Sequence, residues 1–330
     1  MNRWTLGTGL TVVLAAAILA GIRFGSVPIS NADLFAVLMG EGDLVDRNIV
    51  MELRLPRVLL GILVGGGLAV AGATFQALLR NPLAEPYILG ISGGASVGAV
   101  LVLALGWTIA GSWILPIAAF AGALVAITLV FRIATTTGRA MDVRVLLLAG
   151  VVVAAFFSAC IALIFSISSA QTVQSTVLWI MGSLAAANWQ SVALTATYTL
   201  PATLLLMRLA RPLNLMAIGE ETAHYLGADV EGVKRASLGI AALITASGVA
   251  VAGVIGFVGL VVPHTIRLLV GSDHRALLPL SFVAGATLLT LADIAARLVL
   301  SPTEIPIGVI IAFVGVPLFL TLLRRNLSTP

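Results

Sequence analysis

The sequence predicts an all-α, polytopic membrane protein of about ten transmembrane helices. Three observations predict it. Of 330 residues, 60% are hydrophobic and only 10% charged, against about 25% charged in ordinary soluble domains. A soluble chain of this size could not cover such a core with polar surface. Apolar segments recur along the whole length at roughly the ~20 residues needed to cross a bilayer. The charges that remain gather in one place: residues 208–235 hold eight of the 32 charged side chains.

The predicted spans cover residues 5–24, 55–79, 90–107, 113–133, 144–167, 190–208, 235–256, 258–270, 276–298 and 305–323. The first has Arg3, an apolar run and Ala-Ile-Leu-Ala-Gly, in the manner of a secretory signal. Its run of about 17 residues is long for a signal core, and many spans follow, so it reads as a retained helix. The second and third are dense in small residues, at Gly61, Gly65 and at Gly90, Gly94, Gly98. Spacing of four lets helix backbones approach closely. Packing within one subunit and a seam between two copies are both open. The fifth span carries the lone cysteine, Cys160, which can form no intrachain disulfide and reads as a small buried residue. In the ninth, Asp293 is the only carboxylate within a span, and Arg297 at i+4 is a local partner for it. A proton relay would need more.

Shifting the chain by 181 residues aligns Gly67-Leu-Ala-Val-Ala-Gly72 with Gly248-Val-Ala-Val-Ala-Gly253. Eight of 24 positions agree between 67–90 and 248–271, where composition alone would give about two. Five crossings separate the two copies, so they run in opposite directions, as in inverted-repeat transporters. The halves are residues 55–168 and 235–324 of a single domain covering 1–330. Each copy has a proline break, Arg80-Asn-Pro-Leu-Ala-Glu-Pro86 and Val261-Val-Pro-His-Thr-Ile-Arg267. Irregular backbone at membrane depth must be satisfied by protein or pore water. The other reading of each is an interfacial turn.

Orientation follows from the positive-inside rule. With the N-terminus in the cytoplasm, thirteen cations face inward (Arg3, Arg80, Arg132, Arg139, Arg144, Arg208, Arg211, Lys234, Arg235, Arg267, Arg275, Arg324, Arg325) and five outward (Arg23, Arg47, Arg54, Arg57, Arg297). Both termini and residues 208–235 are then cytoplasmic. The net charge of +4 thus concerns orientation. Basic tracts interleaved with aromatics are missing, which leaves nucleic-acid binding without support. No Gly-x-x-x-x-Gly-Lys-Ser/Thr loop exists, because Lys234 is the only lysine and Val233 precedes it. The chain therefore does not hydrolyse ATP through such a loop. Metalloprotease, paired-cysteine and nucleophile-elbow motifs are also missing. His264, after a proline, reads as a structural residue.

Within 208–235, Glu220–Leu226 is expected to be a short helix. Gly227 is placed to end it in the left-handed region, and Asp229 to cap the next. Leu215, Ile218, Ala223 and Leu226 offer an apolar face; Glu220, Glu221 and His224 offer a polar one. Docking into a soluble partner and resting on headgroups are both open readings.

Longer motifs carry a resemblance. Leu53-Arg-Leu-Pro-Arg57, Gln76-Ala-Leu-Leu-Arg-Asn-Pro-Leu-Ala-Glu-Pro86, Leu89-Gly-Ile-Ser-Gly-Gly-Ala95, Gly219-Glu-Glu-Thr-Ala-His-Tyr-Leu-Gly227, Gly256-Phe-Val-Gly-Leu-Val-Val-Pro-His264, Asp273-His-Arg275, Ala292-Asp-Ile-Ala-Ala-Arg297 and Glu304-Ile-Pro-Ile-Gly308 run in order along the chain. In these the sequence resembles the permease subunits of the iron-chelate, haem and cobalamin (FecCD-type) ABC importers. The resemblance implies a multi-pass inner or plasma membrane permease with a second permease subunit, two cytoplasmic ATP-binding subunits and an extracytoplasmic binding protein. ATP and magnesium would bind the ATPase, and no cofactor would bind this chain. The expected cargo is a ferric siderophore, with haem or cobalamin as the alternative; an ion-coupled transporter acting alone is the reading from another class. ATPase coupling would fall on Leu215, Ala217, Gly219, Glu220, Glu221, Thr222, Ala223, Leu226 and Gly227. Arg54, Arg57 and Arg297 would face acidic lobes of the binding protein, with headgroup anchoring as the other reading. The spans 146–167 and 307–320 would line the pathway, and Asn81 and Leu83 would form an inner constriction.

Overall fold

The helix Leu55–Leu78 (α4) is the axis of the molecule, and its sequence explains why. It is apolar on every side, and a helix apolar all round is an enclosed one; nearly its whole length is buried. Its glycines allow that enclosure. A methyl on Gly65 would stand 2.4 Å from Gly285 O, and one on Gly72 only 1.9 Å from Gly259 O. The computed structural model describes residues 2–107, 113–135 and 141–327. Arg139, among the cations expected to face inward, lies outside them, as do the side chains of Arg324 and Arg325.

The remaining helices are α1 (Arg3–Arg23), α2 (Asn31–Met39), α3 (Leu44–Asn48), α5 (Ile91–Ala104), α6 (Ile114–Thr135), α7 (Val143–Ile167), α8 (Ala170–Ile180), α9 (Trp189–Arg208), α10 (Ala210–Ile218), α11 (Glu220–Tyr225), α12 (Val230–Ala252), α13 (Val258–Val270), α14 (His274–Leu298) and α15 (Ile307–Leu327). The described residues contain no strand. Among the described residues, six helices are long and apolar enough to cross a membrane, or seven if α9 and α10, bent by 58°, form one span; α5, α13 and residues 307–321 of α15 are shorter apolar helices. The predicted spans fall in order on α1, α4, α5, α6, α7, α9, α12, α13, α14 and α15. The short helices α2, α3, α8 and α10 were not predicted. They lie between spans, where the apolar signal stops.

The first helices of the two predicted halves pack against each other. Gly67 of α4 meets Ile244 of α12, and Gly248 of α12 faces Val64 of α4, so the two helices run antiparallel. The small-residue spacings are intramolecular seams. A methyl on Gly94 would lie 2.3 Å from Gly122 O, and one on Gly98 would lie 2.0 Å from Ala118 O. Close backbone approach of this kind stands in for a hydrophobic drive inside a bilayer. For these glycines the seam-between-copies reading is set aside.

One predicted break moves. Val261–Arg267 is helical, with Pro263 inside α13. The irregular stretch in that half is Gly253–Phe257, because Gly253 stops α12 at φ +70°. Pro263 lies past the first turn, so its missing N–H frees Gly259 O, and Gln76 Nε2 donates to that carbonyl at 3.4 Å.

Hydrogen bonds and ion pairs sort the loops to two ends. At one, Arg3 reaches Asp273 (3.0 Å), Arg80 reaches Glu220 (4.0 Å) and Lys234 reaches Met141 O (2.8 Å). At the other, Arg54 reaches Arg23 O (2.8 Å), Arg57 reaches Glu304 (2.9 Å) and Trp189 Nε1 donates to Met51 O (3.0 Å). We call these the handle end and the arginine end.

Candidate functional site

The charged segment folds as two short helices, α10 and α11, set on a polar root. Lys234 is almost completely buried. Its Nζ lies 2.5 Å from Glu220 Oε2 and 3.4 Å from Glu231 Oε1, and it donates to Met141 O at 2.8 Å. Glu231 Oε2 in turn accepts from Met141 N at 3.1 Å. A buried ammonium is tolerable only with such a full set of acceptors. The root therefore ties α11, α12 and the start of α7 together. Gly227 has φ +83° and ends α11, and Asp229 caps α12 by accepting from Gly232 N. Both features were predicted.

The outward surface differs from the predicted apolar face. Ala223 is buried against the body, and Glu220 turns inward to Lys234. Ala217, Ile218, Glu221, Thr222, Leu226 and Gly227 are exposed; Leu215 and Gly219 are partly covered. Tyr225, missed in the sequence reading, is the most open large side chain here, 87% exposed. Its place one residue before exposed Leu226 was the available signal.

The two irregular stretches meet each other. Glu85 Oε1 accepts from Phe257 N at 2.6 Å. Tyr87 Oη accepts from Ile255 N (3.2 Å) and donates to Ile255 O (3.1 Å). Gln76 Nε2 donates to Leu260 O at 3.1 Å. Backbone groups freed in one half are thus satisfied by the other, as a membrane interior requires. This favours the protein-facing reading of the breaks. Asn81 accepts from Leu83 N at 2.9 Å, closing a turn after α4. Asn81 and Leu83 are both exposed at the handle end.

At the arginine end the three predicted docking cations turn inward. Arg54, 5% exposed, donates to the carbonyls of Ile22 (2.9 Å), Arg23 (2.8 Å) and Val27. Arg57 grips Glu304 with two parallel bonds, 2.9 and 3.0 Å, and bonds Asp293 at 2.8 Å. Arg297, also 5% exposed, sits 3.0 Å from Asp293 Oδ2 without hydrogen-bond geometry at that nitrogen, and donates to Gly21 O and Phe24 O. So all three guanidinium groups are held by acceptors within this chain. Cations this close to hydrocarbon are stabilised by fixed internal acceptors. The i+4 pair of Asp293 with Arg297 was predicted; Arg57, 236 residues away in sequence, was not.

An inverted-repeat helical bundle of this hydropathy, with a charged two-helix handle at one end, defines a multi-pass membrane permease. A model of the FecCD transport family matches residues 13–325. The chain belongs to that family of ABC importer permeases. It is 43% identical over 323 residues to the uncharacterized ABC transporter permease protein YvrB of Bacillus subtilis, covering 95% of this chain and 91% of that one. It is 38% identical to the hemin transport system permease protein HmuU of Yersinia pestis, covering 96% and 94%. A solved metal-chelate-type ABC transporter in an inward-facing conformation superposes with a TM-score of 0.88 at 31% identity, covering 97% of this chain and 99% of that one.

Proposed function

We propose that this chain is the membrane-spanning subunit of an ATP-driven importer whose cargo is a metal-centred tetrapyrrole. Family membership supports the importer reading. The cargo reading rests on relatives. Besides the hemin permease, a cobalamin import permease of Halobacterium salinarum is 43% identical over 276 residues. A vitamin B12 import permease of Escherichia coli O157:H7 is 39% identical over 323. These names favour cobalamin or haem over the ferric siderophore expected from the motifs.

The assembly has a second permease copy, two ATP-binding subunits at the handle end and a binding protein at the arginine end. ATP and magnesium belong to the ATPase chains. The cation bias of the loops supports a cytoplasmic handle end. Faces of α7 and α15 left uncovered in one copy, with Leu148, Val151, Phe156 and Phe313 all exposed, meet the second copy or border the pathway. The exposed set on and beside α10 and α11 supports coupling best: Ile218, Glu221, Tyr225 and Leu226 are all exposed. An apolar anchor ringed by polar groups suits a groove on a soluble partner.

Transport by proteoliposomes holding this permease with its ATPase and binding protein tests the reading. Cyanocobalamin, haemin and a ferric siderophore are offered in parallel. ATP-dependent uptake of one of the first two is expected. Uptake of the siderophore alone would overturn the cargo reading, and uptake driven by an ion gradient without ATP would overturn the importer reading.

A further inference from the structure

The handle end holds a cavity of about 660 Å3 between the end of α4, α10, α13 and the start of α14. Gln76, Arg80, Asn214, His264, Arg267 and His274 line it. Four of them carry buried atoms with no hydrogen-bond partner among the described residues: Gln76 Oε1, His264 Nδ1, Arg267 Nε and Nη2, and His274 Nε2. His264 is 6% exposed and His274 1%. Buried polar atoms are nearly always paired, so several orphans around one cavity point to a ligand.

Charge says what kind. Arg267 makes no ion pair with any described residue. The carboxylate of Asp273 also borders the cavity, but it is already held by Arg3, Asn214 and the Arg275 N–H. Arg80 stands half-exposed and reaches only to 4.0 Å from Glu220. Water would satisfy the orphaned atoms but not the guanidinium charge, which at the edge of a bilayer calls for a counter-anion. The hydrogen-bond pattern narrows it further. Asn214 Oδ1 accepts from His274 N (2.8 Å) while Asn214 Nδ2 donates to Asp273 (2.9 Å). That orientation makes His274 Nδ1 the donor to Asn214 Oδ1 at 2.7 Å, which leaves Nε2 of the neutral ring as an acceptor on the cavity side. Gln76 Oε1 can only accept, so the ligand must also donate.

We propose that this cavity binds a phosphate oxyanion that carries a hydroxyl, as hydrogen phosphate and a phosphoglycerol lipid headgroup both do. Arg267 and Arg80 hold the anionic oxygens, and Gln76 Oε1 and His274 Nε2 are the acceptors for the hydroxyl. Planar guanidinium groups suit phosphate in this role.

Native mass spectrometry of the full chain in detergent, with phosphatidylglycerol or phosphatidylcholine added, tests a lipid source. Thermal unfolding in inorganic phosphate against chloride of equal ionic strength tests a free one. Retention of phosphatidylglycerol over phosphatidylcholine by about tenfold, or stabilisation by phosphate, is expected. Arg267→Gln should remove whichever effect is seen, and Arg267→Lys should keep part of it. Should Arg267→Gln fail to fold, Arg80→Gln, at the cavity mouth, is expected to weaken the same effect severalfold. A wild-type chain with no preference in either assay, or variants that bind as it does, would overturn the proposal. So would an Arg267→Gln chain that loses only its ATPase subunit, which would assign the cavity to an acidic side chain of that partner.

Discussion

Asp293 shows how a single residue can be half legible. Its neighbour Arg297, one helical turn away, follows from the sequence alone. Arg57 and Glu304 come from other elements, and nothing local marks them. Together they form one buried network across α4, α14 and the loop before α15. Replacing Asp293 with Asn leaves two arginines short of their counter-charge. Breaking a buried pair this way costs about 3–5 kcal/mol. The purified Asp293→Asn chain is expected to unfold well below the wild type in a thermal melt, and Glu304→Gln, at a carboxylate that is itself far more open, to shift much less. At the other end, the Asn214 amide, then the Arg275 N–H and the Arg3 guanidinium, hold the Asp273 carboxyl down at about 2. A depressed carboxylate contributes stability above its ordinary pKa and loses it as pH falls through the folded value. The melting gap between wild type and Asp273→Asn should therefore be constant between about pH 5 and about pH 8, and close only below about pH 3. A gap that narrows near neutrality would contradict this placement of charge.

Elements were read best where periodicity and end signals agree. Span ends at α4, α7, α9 and α13 fall within a residue or so of their predicted places. The Gly227 and Asp229 signals located the end of α11 and the start of α12. The second break was misplaced because proline was weighted above glycine; Pro263 sits where α13 tolerates it, and Gly253 does the breaking. The contact between the breaks was invisible in sequence, since Glu85 and Tyr87 act on backbone groups about 170 residues away. Tyr87→Phe removes both bonds to Ile255 and is expected to cost about 1–3 kcal/mol. Hydrogen exchange at Ile255 and Phe257 should rise in that variant while α4 stays protected; unchanged exchange would mean that the contact is dispensable.

For the whole molecule, composition and repeat settled the class, and burial separates what one chain completes from what it leaves open. Helix α4 is enclosed, whereas α6 and α7 are buried over only 28% and 22% of their apolar windows. Lipid and a second copy are the available covers. Phe313→Arg, at a position 76% exposed, is expected to reduce dimer formation by about tenfold or more, measured by light scattering in detergent. An unchanged dimer would leave that face to the pathway or to lipid.

Energy entering through α10 and α11 is the claim on which the transport account rests, and Tyr225 tests it most directly. In a Cys160→Ala background, Tyr225→Cys is labelled with an impermeant maleimide in sealed vesicles of known orientation, with and without the assembled ATPase. The account predicts labelling from the cytoplasmic side only, and protection once the ATPase is bound. Labelling from the exterior, or labelling untouched by the ATPase, would contradict it.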